Sequence, residues 1–280
     1  MDIHQQITDR IIAVLESGQA GEWTCPWDRR GGSGLPVNAH TGKRYRGINV
    51  LSLWVAEQLS GHSDSRWATY RQWSELGAQV RKGEKSTLVV FYKDYQVDTD
   101  DEGDDGRRFV ARASFAFNAE QVENAPGSSD PVITGGFYPI PAMEALAERT
   151  GARIVERGEQ ACYVPALDEI RMPPRDRFKS GHGWASTLAH ELTHWTGAPP
   201  RLARDLSGRF KSQAYAGEEL IAELGSAFLC AQIGLEAEPH PQRAAYIGSW
   251  LQLLKQDNRA IFTAAAKAAE AVDYLTRETG

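Results

Sequence analysis

His190-Glu191-Leu192-Thr193-His194 sets two imidazoles four residues apart, with a carboxylate next to the first. On a helix that spacing points both rings the same way, so they can hold one Zn²⁺ at about 2.0–2.1 Å while Glu191 flanks the same face. A third ligand is available downstream, where the stretch from Tyr215 to Phe228 carries Glu218, Glu219 and Glu223 beside an apolar stripe. Glu219 and Glu223 are four apart and share a face with Ala222 and Ser226. Glu218 is rotated off that face by about a hundred degrees. Three protein ligands leave one position for water, whose pKa falls towards about 7, and Glu191 can take that proton and pass it to a leaving amine. The chemistry this set supports is peptide hydrolysis. His182 and Tyr215 could steady an oxyanion, but His182 stands between two glycines, a setting typical of loops, and neither is assigned that role.

These groups need elements to hold them. Trp184, Leu188, Leu192 and Trp195 recur at steps of four, four and three, which buries one stripe of a helix and turns the ligand face to a cleft. Around it the sequence predicts a helix near 141–150, short strands near 153–155, 162–164 and 169–172, and then four helical stretches including this one. That is an α+β arrangement, a small sheet plus helices. Residues 124–136 (NAPGSSDPVITGG) lack hydrophobic periodicity and read as a linker, dividing the chain into domains 1–123 and 137–280. In the first domain Asp2 caps a helix with Ile3, Ile7, Ile11, Val14 and Leu15 on one side, and residues 48–60 form another. Thr69 with Gln72 makes a capping box for a short helix, and strands 86–97 and 107–118 form a long hairpin around an acidic turn. This domain too is α+β.

The net charge of −6, from 31 basic and 37 acidic residues, argues on average against a nucleic-acid partner. The average hides a segregation. Six of the eight residues from Asp98 to Asp105 are acidic, whereas Thr41 to Lys93 carries nine Lys and Arg against four acids. Five of the eight tryptophans lie in the first 73 residues and interleave with these cations. The candidate nucleic-acid contacts are Trp23, Trp27, Lys43, Arg44, Tyr45, Arg46, Arg66, Trp67, Arg71, Trp73, Arg81, Lys82 and Lys85. Aromatic rings stacked on unpaired bases, with cations on phosphates, are what a single strand demands, although any one tryptophan is more often a core residue. Cys25, Cys162 and Cys230 stand far apart without a C-x-x-C pair, which excludes a disulfide framework and a thiolate zinc knuckle. No apolar run approaches the ~20 residues of a membrane span, and the first 18 residues lack a targeting pattern, so a soluble, cytoplasmic protein without a membrane partner is expected.

Taken together, Trp23 to Trp27 (WTCPW), Leu35 to Leu53 (LPVNAHTGKRYRGINVLSL), Trp67 to Glu84, His190 to Gly197 with Arg201-Leu202, and Tyr215 to Phe228 resemble the ArdC family of plasmid antirestriction proteins, which is related to the N-terminal region of plasmid TraC primases. The resemblance covers nearly the whole chain. It implies a single-stranded-DNA-binding domain joined to a zincin-like metallopeptidase domain, and a role in protecting incoming conjugative DNA from host restriction. The E-x-x-A-E run at Glu219 resembles the E-x-x-A-D or E-x-x-A-N helix of gluzincin metallopeptidases. That likeness implies Glu219 as zinc ligand and Glu223 as the partner orienting a ligand histidine, with the reverse assignment left open. Zn²⁺ is the implied metal and Mn²⁺ another divalent option. The protein substrate is unidentified, a restriction enzyme being one choice. Two alternatives use the same parts: a DNA-tethered metalloprotease acting on DNA–protein crosslinks, and a non-enzymatic strand-coating protein with a structural metal site. A phosphate- or sugar-directed metallohydrolase is disfavoured, because H-E-x-x-H followed by an acidic helix is a peptidase arrangement.

Overall fold

A computed structural model describes residues 2–17, 34–96, 107–127, 139–206, 212–235 and 243–277. The chain opens with α1 (Ile3–Ser17), which buries Ile7, Ile11, Val14 and Leu15 on one side, as its periodicity predicts. α2 (Ile48–Ser60) is apolar almost all round and is buried accordingly; it stops at Gly61, whose left-handed backbone (φ 70°) a side chain would strain. Between and after these helices the chain forms a four-stranded sheet. β1 (Val37–Asn38) pairs in parallel with β2 (Arg66–Thr69), which pairs with β5 (Arg107–Asn118), and β5 pairs along its length with β4 (Thr87–Gln96). The long hairpin is therefore β4–β5.

β4 would leave an open edge, a row of unpaired amides and carbonyls. α2 closes it. The Asn49 amide donates to Val90 O and accepts from Val90 N–H, both at 2.7 Å, and Ser52 Oγ donates to Leu88 O at 2.7 Å. The predicted capping box is present: Thr69 and Gln72 bond reciprocally and start α3 (Tyr70–Glu75). β3 (Gln79–Val80) and β6 (Val122–Glu123) pair beside it, and Trp73 anchors a small satellite core with Ala68, Ala78, Val80, Ala119 and Val122.

In the second half α4 (Pro139–Thr150) precedes a three-stranded sheet in the order β7 (Arg153–Glu156), β9 (Glu169–Met172), β8 (Cys162–Val164), with β8 at an edge. Four helices follow: α5 (Gly181–Thr196), α6 (Gln213–Gln232), α7 (Arg243–Gln256) and α8 (Ala260–Thr276). One hydrophobic core runs through both halves, from Ile7 and Trp54 to Phe228, Trp250 and Leu275. α1 packs on α7 and α2 on α8, and the Trp54 and Phe228 rings meet edge to face with centroids 5.7 Å apart. The linker residues 128–136 lie outside the described residues.

The structure corrects part of the stacking set. Trp67 and Trp73 are fully buried, and Tyr45 is buried as well. Trp67 Nε1 donates to the buried Glu57 carboxylate at 3.0 Å, Trp73 Nε1 donates to Phe117 O at 2.9 Å, and Tyr45 Oη accepts from Asn38 Nδ2 at 3.1 Å. Rings already enclosed by protein offer no face to a base, so these three are core residues. Trp73→Ala should therefore cost ~3–5 kcal/mol of stability through the cavity it leaves, and a thermal melt should show any loss of function tracking the lower Tm.

Candidate metal centre

α5 starts at Ser180, whose Oγ accepts from Gly183 N–H at 2.9 Å. Trp184, Leu188, Leu192 and Trp195 are buried, as the periodicity predicts. His182 belongs to the first turn of α5 and is not a loop residue. On the other side of α5 lies α6, and the two helices approach closely where Gly225 meets Thr193. A Cβ on Gly225 would come within 2.5 Å of Thr193 Cγ2. Ser226 Oγ donates to Ser186 O at 2.8 Å from the same seam. The small residues of α6 exist to let the helices touch, and the contact carries Glu219 across to the two histidines.

His190 and His194 face each other with their Nε2 atoms 3.1 Å apart. The Glu219 carboxylate lies 3.5 Å from His190 Nε2 and 3.7 Å from His194 Nε2. One ligand atom from each of these residues lies within 4.8 Å of the other two. Two imidazoles and a carboxylate converging in a buried pocket are the donor set of a divalent cation of zinc's class, so the residues fit the ion that the spacing implies.

Each ring is also held from behind. Glu223 Oε2 lies 3.6 Å from His190 Nδ1, and Glu218 Oε1 lies 3.1 Å from His194 Nδ1. A carboxylate on Nδ1 keeps the proton there and leaves Nε2 free for a metal. Glu218 is thus the residue that sequence reasoning passed over. Its rotation off the Glu219–Glu223 face, which seemed to exclude it on the helix alone, aims it at the second histidine. Its other anchor is the buried Arg204, which donates to Glu218 at 2.9 and 3.1 Å, to Thr196 Oγ1 at 2.9 Å and to Thr193 O at 2.6 Å. Arg204 so ties the end of α5 to α6. The signal available was an arginine shortly after the motif, unusual in a segment that must return to a core. Glu218→Gln should weaken metal affinity about tenfold, the lower end of the 10–100-fold typical of such partners, as measured by competition with a chromophoric chelator.

Charge and burial set opposite behaviours within this cluster. Burial would depress His190, but hydrogen bonds to Glu219 and Glu223 and the nearby carboxylate charges carry it up to about 10. Burial would raise Glu219, yet His190 and His194 hold it down to about 2; the two displacements express one ion pair. Glu218 also lies below the usual carboxylate range, its hydrogen bonds to His194 and Arg204 outweighing burial. Glu191 goes the other way: burial raises it above its ordinary value despite the neighbouring imidazoles, and Tyr163 N–H hydrogen-bonds its carboxylate. The Tyr215 hydroxyl pairs with Tyr246 at 3.1 Å and bonds Glu219; burial, then these neighbours, raise it.

The predicted nucleic-acid contacts that the structure describes lie in different settings. Trp23 and Trp27 lie outside the described residues. Lys43, Arg44, Lys82 and Lys85 are exposed. Arg71 is exposed but pairs with Glu75 at 2.9 Å, and Arg81 pairs with Glu84 at 2.8 Å. Arg66 is bound by Asp64, at 2.7 Å, and by Pro126 O, while Arg46 pairs with Asp273 of α8. Arg46 and Arg66 therefore serve structural bonds, one of them across the two halves.

Comparison with known proteins finds two family models in succession along the chain. Residues 1–123 match the N-terminal domain of anti-restriction factor ArdC, and residues 141–267 match a zincin-like metallopeptidase family. The chain is 42% identical to an uncharacterised protein, y4eC, of Sinorhizobium fredii, over 98% of this chain and 91% of that protein. It is 39% identical to a DNA primase TraC of Escherichia coli over 97% of this chain, which spans 27% of the primase. Among solved structures, the antirestriction protein ArdC of plasmid R388 matches in a metal-free form (TM-score 0.81) and a Mn(II)-bound form (TM-score 0.80). Both are 40% identical, with 98% of this chain and 97% of that chain covered. With both domain models matched in order and likeness sustained over almost the full length of both chains, this chain belongs to the ArdC family of antirestriction proteins.

Proposed function

We propose that this chain protects incoming plasmid DNA from restriction by binding single-stranded DNA through residues 1–123 and hydrolysing a protein through residues 137–280, joined by a linker at 124–136. The observation that carries the reading is the buried cradle of His190, His194 and Glu219 beside Glu191. Those three residues would hold Zn²⁺, or Mn²⁺ as in the Mn(II)-bound R388 structure. The ion supplies Lewis-acid polarisation of a carbonyl and an acidified water. Glu191 takes the proton from the attacking water and returns it to the leaving amine. Glu218 and Glu223 keep the two imidazoles aimed. β8 is an edge strand whose Tyr163 amide reaches Glu191, so an extended substrate segment can lie along that edge next to the base.

The DNA half of the reading rests on the four exposed cations and on the relation to a primase. No described helix is long and apolar enough to cross a membrane. The test is an incubation of the purified chain, with single-stranded DNA, against restriction-enzyme subunits and against DNA–protein crosslinks. Cleavage that stops on chelation and returns with Zn²⁺ or Mn²⁺ is the expected result. A metal-loaded chain that binds the strand and cuts neither substrate nor itself leaves a coating protein with a structural metal.

A further inference from the structure

The satellite core around Trp73 opens on one side into a cleft of about 520 Å³, lined among others by Tyr70, Gln79, Arg81, Lys82, Phe117 and Glu123. Tyr70 is the first residue of α3 and is 52% exposed, its hydroxyl accepting from Gln79 Nε2 at 2.8 Å. The hydrogen bond fixes the hydroxyl end of the side chain while about half of the residue stays exposed. Phe117 lies at the floor, partly buried. Two residues back along β5, on the same side of the sheet, Phe115 is 55% exposed beyond the cover of α3. The two phenylalanines are thus about 7 Å apart along the strand, at its usual rise.

We infer that this cleft takes one unpaired base of a single strand, stacked on Tyr70, with the adjoining phosphate at Lys82 and a neighbouring base on Phe115. The inference rests on the proposed DNA-binding role and names the place where it is exercised. The charges decide the occupant. Arg81 is engaged by Glu84, and Glu123 also lines the cleft, so its interior is close to neutral and suits a heterocycle better than a phosphate or an acidic side chain. At its rim Lys82 is exposed, and no carboxylate among the described residues pairs with it. A near-neutral aromatic slot with an unpaired cation at its rim complements a base joined to its phosphate. The Nε2 group of Gln79 is spent on Tyr70 Oη and Val80 O, so Gln79 Oε1 and the Glu123 carboxylate add acceptors for the amino or imino edge of a base. This assignment replaces Trp67 and Trp73, whose rings are enclosed, with aromatic residues that are about half exposed.

The test uses the full chain, because α1 and α2 share their core with α7 and α8. Fluorescence anisotropy with a labelled oligo-dT at several salt concentrations is run on the parent, Tyr70→Ala, Tyr70→Phe and Lys82→Ala, each with a melting curve. Tyr70→Ala is expected to bind roughly ten- to hundredfold more weakly with its salt slope and Tm unchanged, while Tyr70→Phe, which keeps the stacking face, stays near the parent. Lys82→Ala should flatten the slope of log K against log salt by about 0.7. If the parent binds the strand and Tyr70→Ala binds equally well, the cleft assignment is wrong although the DNA reading stands. A parent that does not bind the strand at all overturns the DNA reading and this inference with it. Displacement of the oligonucleotide by polyglutamate at equal charge concentration shows recognition by charge alone and also overturns the cleft.

Discussion

His194→Ala should leave the C-terminal half without metal at chelator concentrations that the parent survives. The substitution removes one of three donors whose ligand atoms lie within 4.8 Å of one another, and only His190 and Glu219 remain. If the metal's binding free energy is shared among its ligands, one imidazole is worth on the order of 3 kcal/mol or more, at least a hundredfold in affinity. The loss should also be visible in stability. A metal that binds only the folded chain stabilises it by about 2.7 kcal/mol when present at a hundred times its Kd, so parent and variant should differ more in Tm in metal-containing buffer than in chelator. The difference left in chelator reports the severed His194–Glu218 bond and the small cavity. Elemental analysis decides the point: equal metal content in parent and variant removes His194 from the ligand set.

Much of this centre was legible before any coordinates, for a definite reason. His190, Glu191, His194 and the buried stripe all sit on α5, so a local period relates them, and Glu219, which converges on the histidines, sits on α6 in a run with a period of its own. α1, α2, the capping box at Thr69 and the β4–β5 hairpin were legible on the same terms, since each is specified by neighbours in sequence. What escaped is non-local. β1, β3 and β6 are two residues long and exist only because partners up to 44 positions away pair with them, as Gln79 does with Glu123. Glu218 could not be placed from a helical wheel, because its direction acquires meaning only when α5 and Arg204 lie against it. The tryptophans failed differently. Residue type tells that a ring will find a large contact, not whether protein or a base supplies it, and for Trp67 and Trp73 the protein does.

The continuous core bears on how the two activities would be coupled. α1 and α2 belong by sequence to the first half, yet Thr8 Oγ1 donates to Asn258 O at 2.7 Å, Arg46 pairs with Asp273, and Trp54 meets Phe228 of α6, the helix that carries Glu219. The halves are packed against one another through side chains deep in both. A strand held by the first half would therefore stand at a set position relative to Glu191, and proteins near that strand would be presented to the centre by geometry rather than by chance encounter.

Glu191→Gln is the substitution that separates hydrolysis from metal retention and strand binding. The amide has nearly the shape of the carboxylate and Glu191 is not among the three converging donors, so the metal should stay. The amide can neither accept the proton of the attacking water nor return it to the leaving amine. General acid–base catalysis of this kind contributes about 10²–10⁴-fold, and cleavage by the variant should fall by at least that factor while single-strand binding is unchanged. Because Glu191 is buried and held by the Tyr163 amide, the exchange also removes a charge facing two imidazoles, and a modest change in metal affinity is expected without loss of the ion. Conjugation into a restricting recipient then reads the outcome in the whole process. If Glu191→Gln fails to protect the incoming DNA at normal metal content and normal strand affinity, protection requires chemistry at this centre. If it protects as well as the parent, the strand-binding half acts alone, and the centre is needed for the fold or for a reaction other than antirestriction.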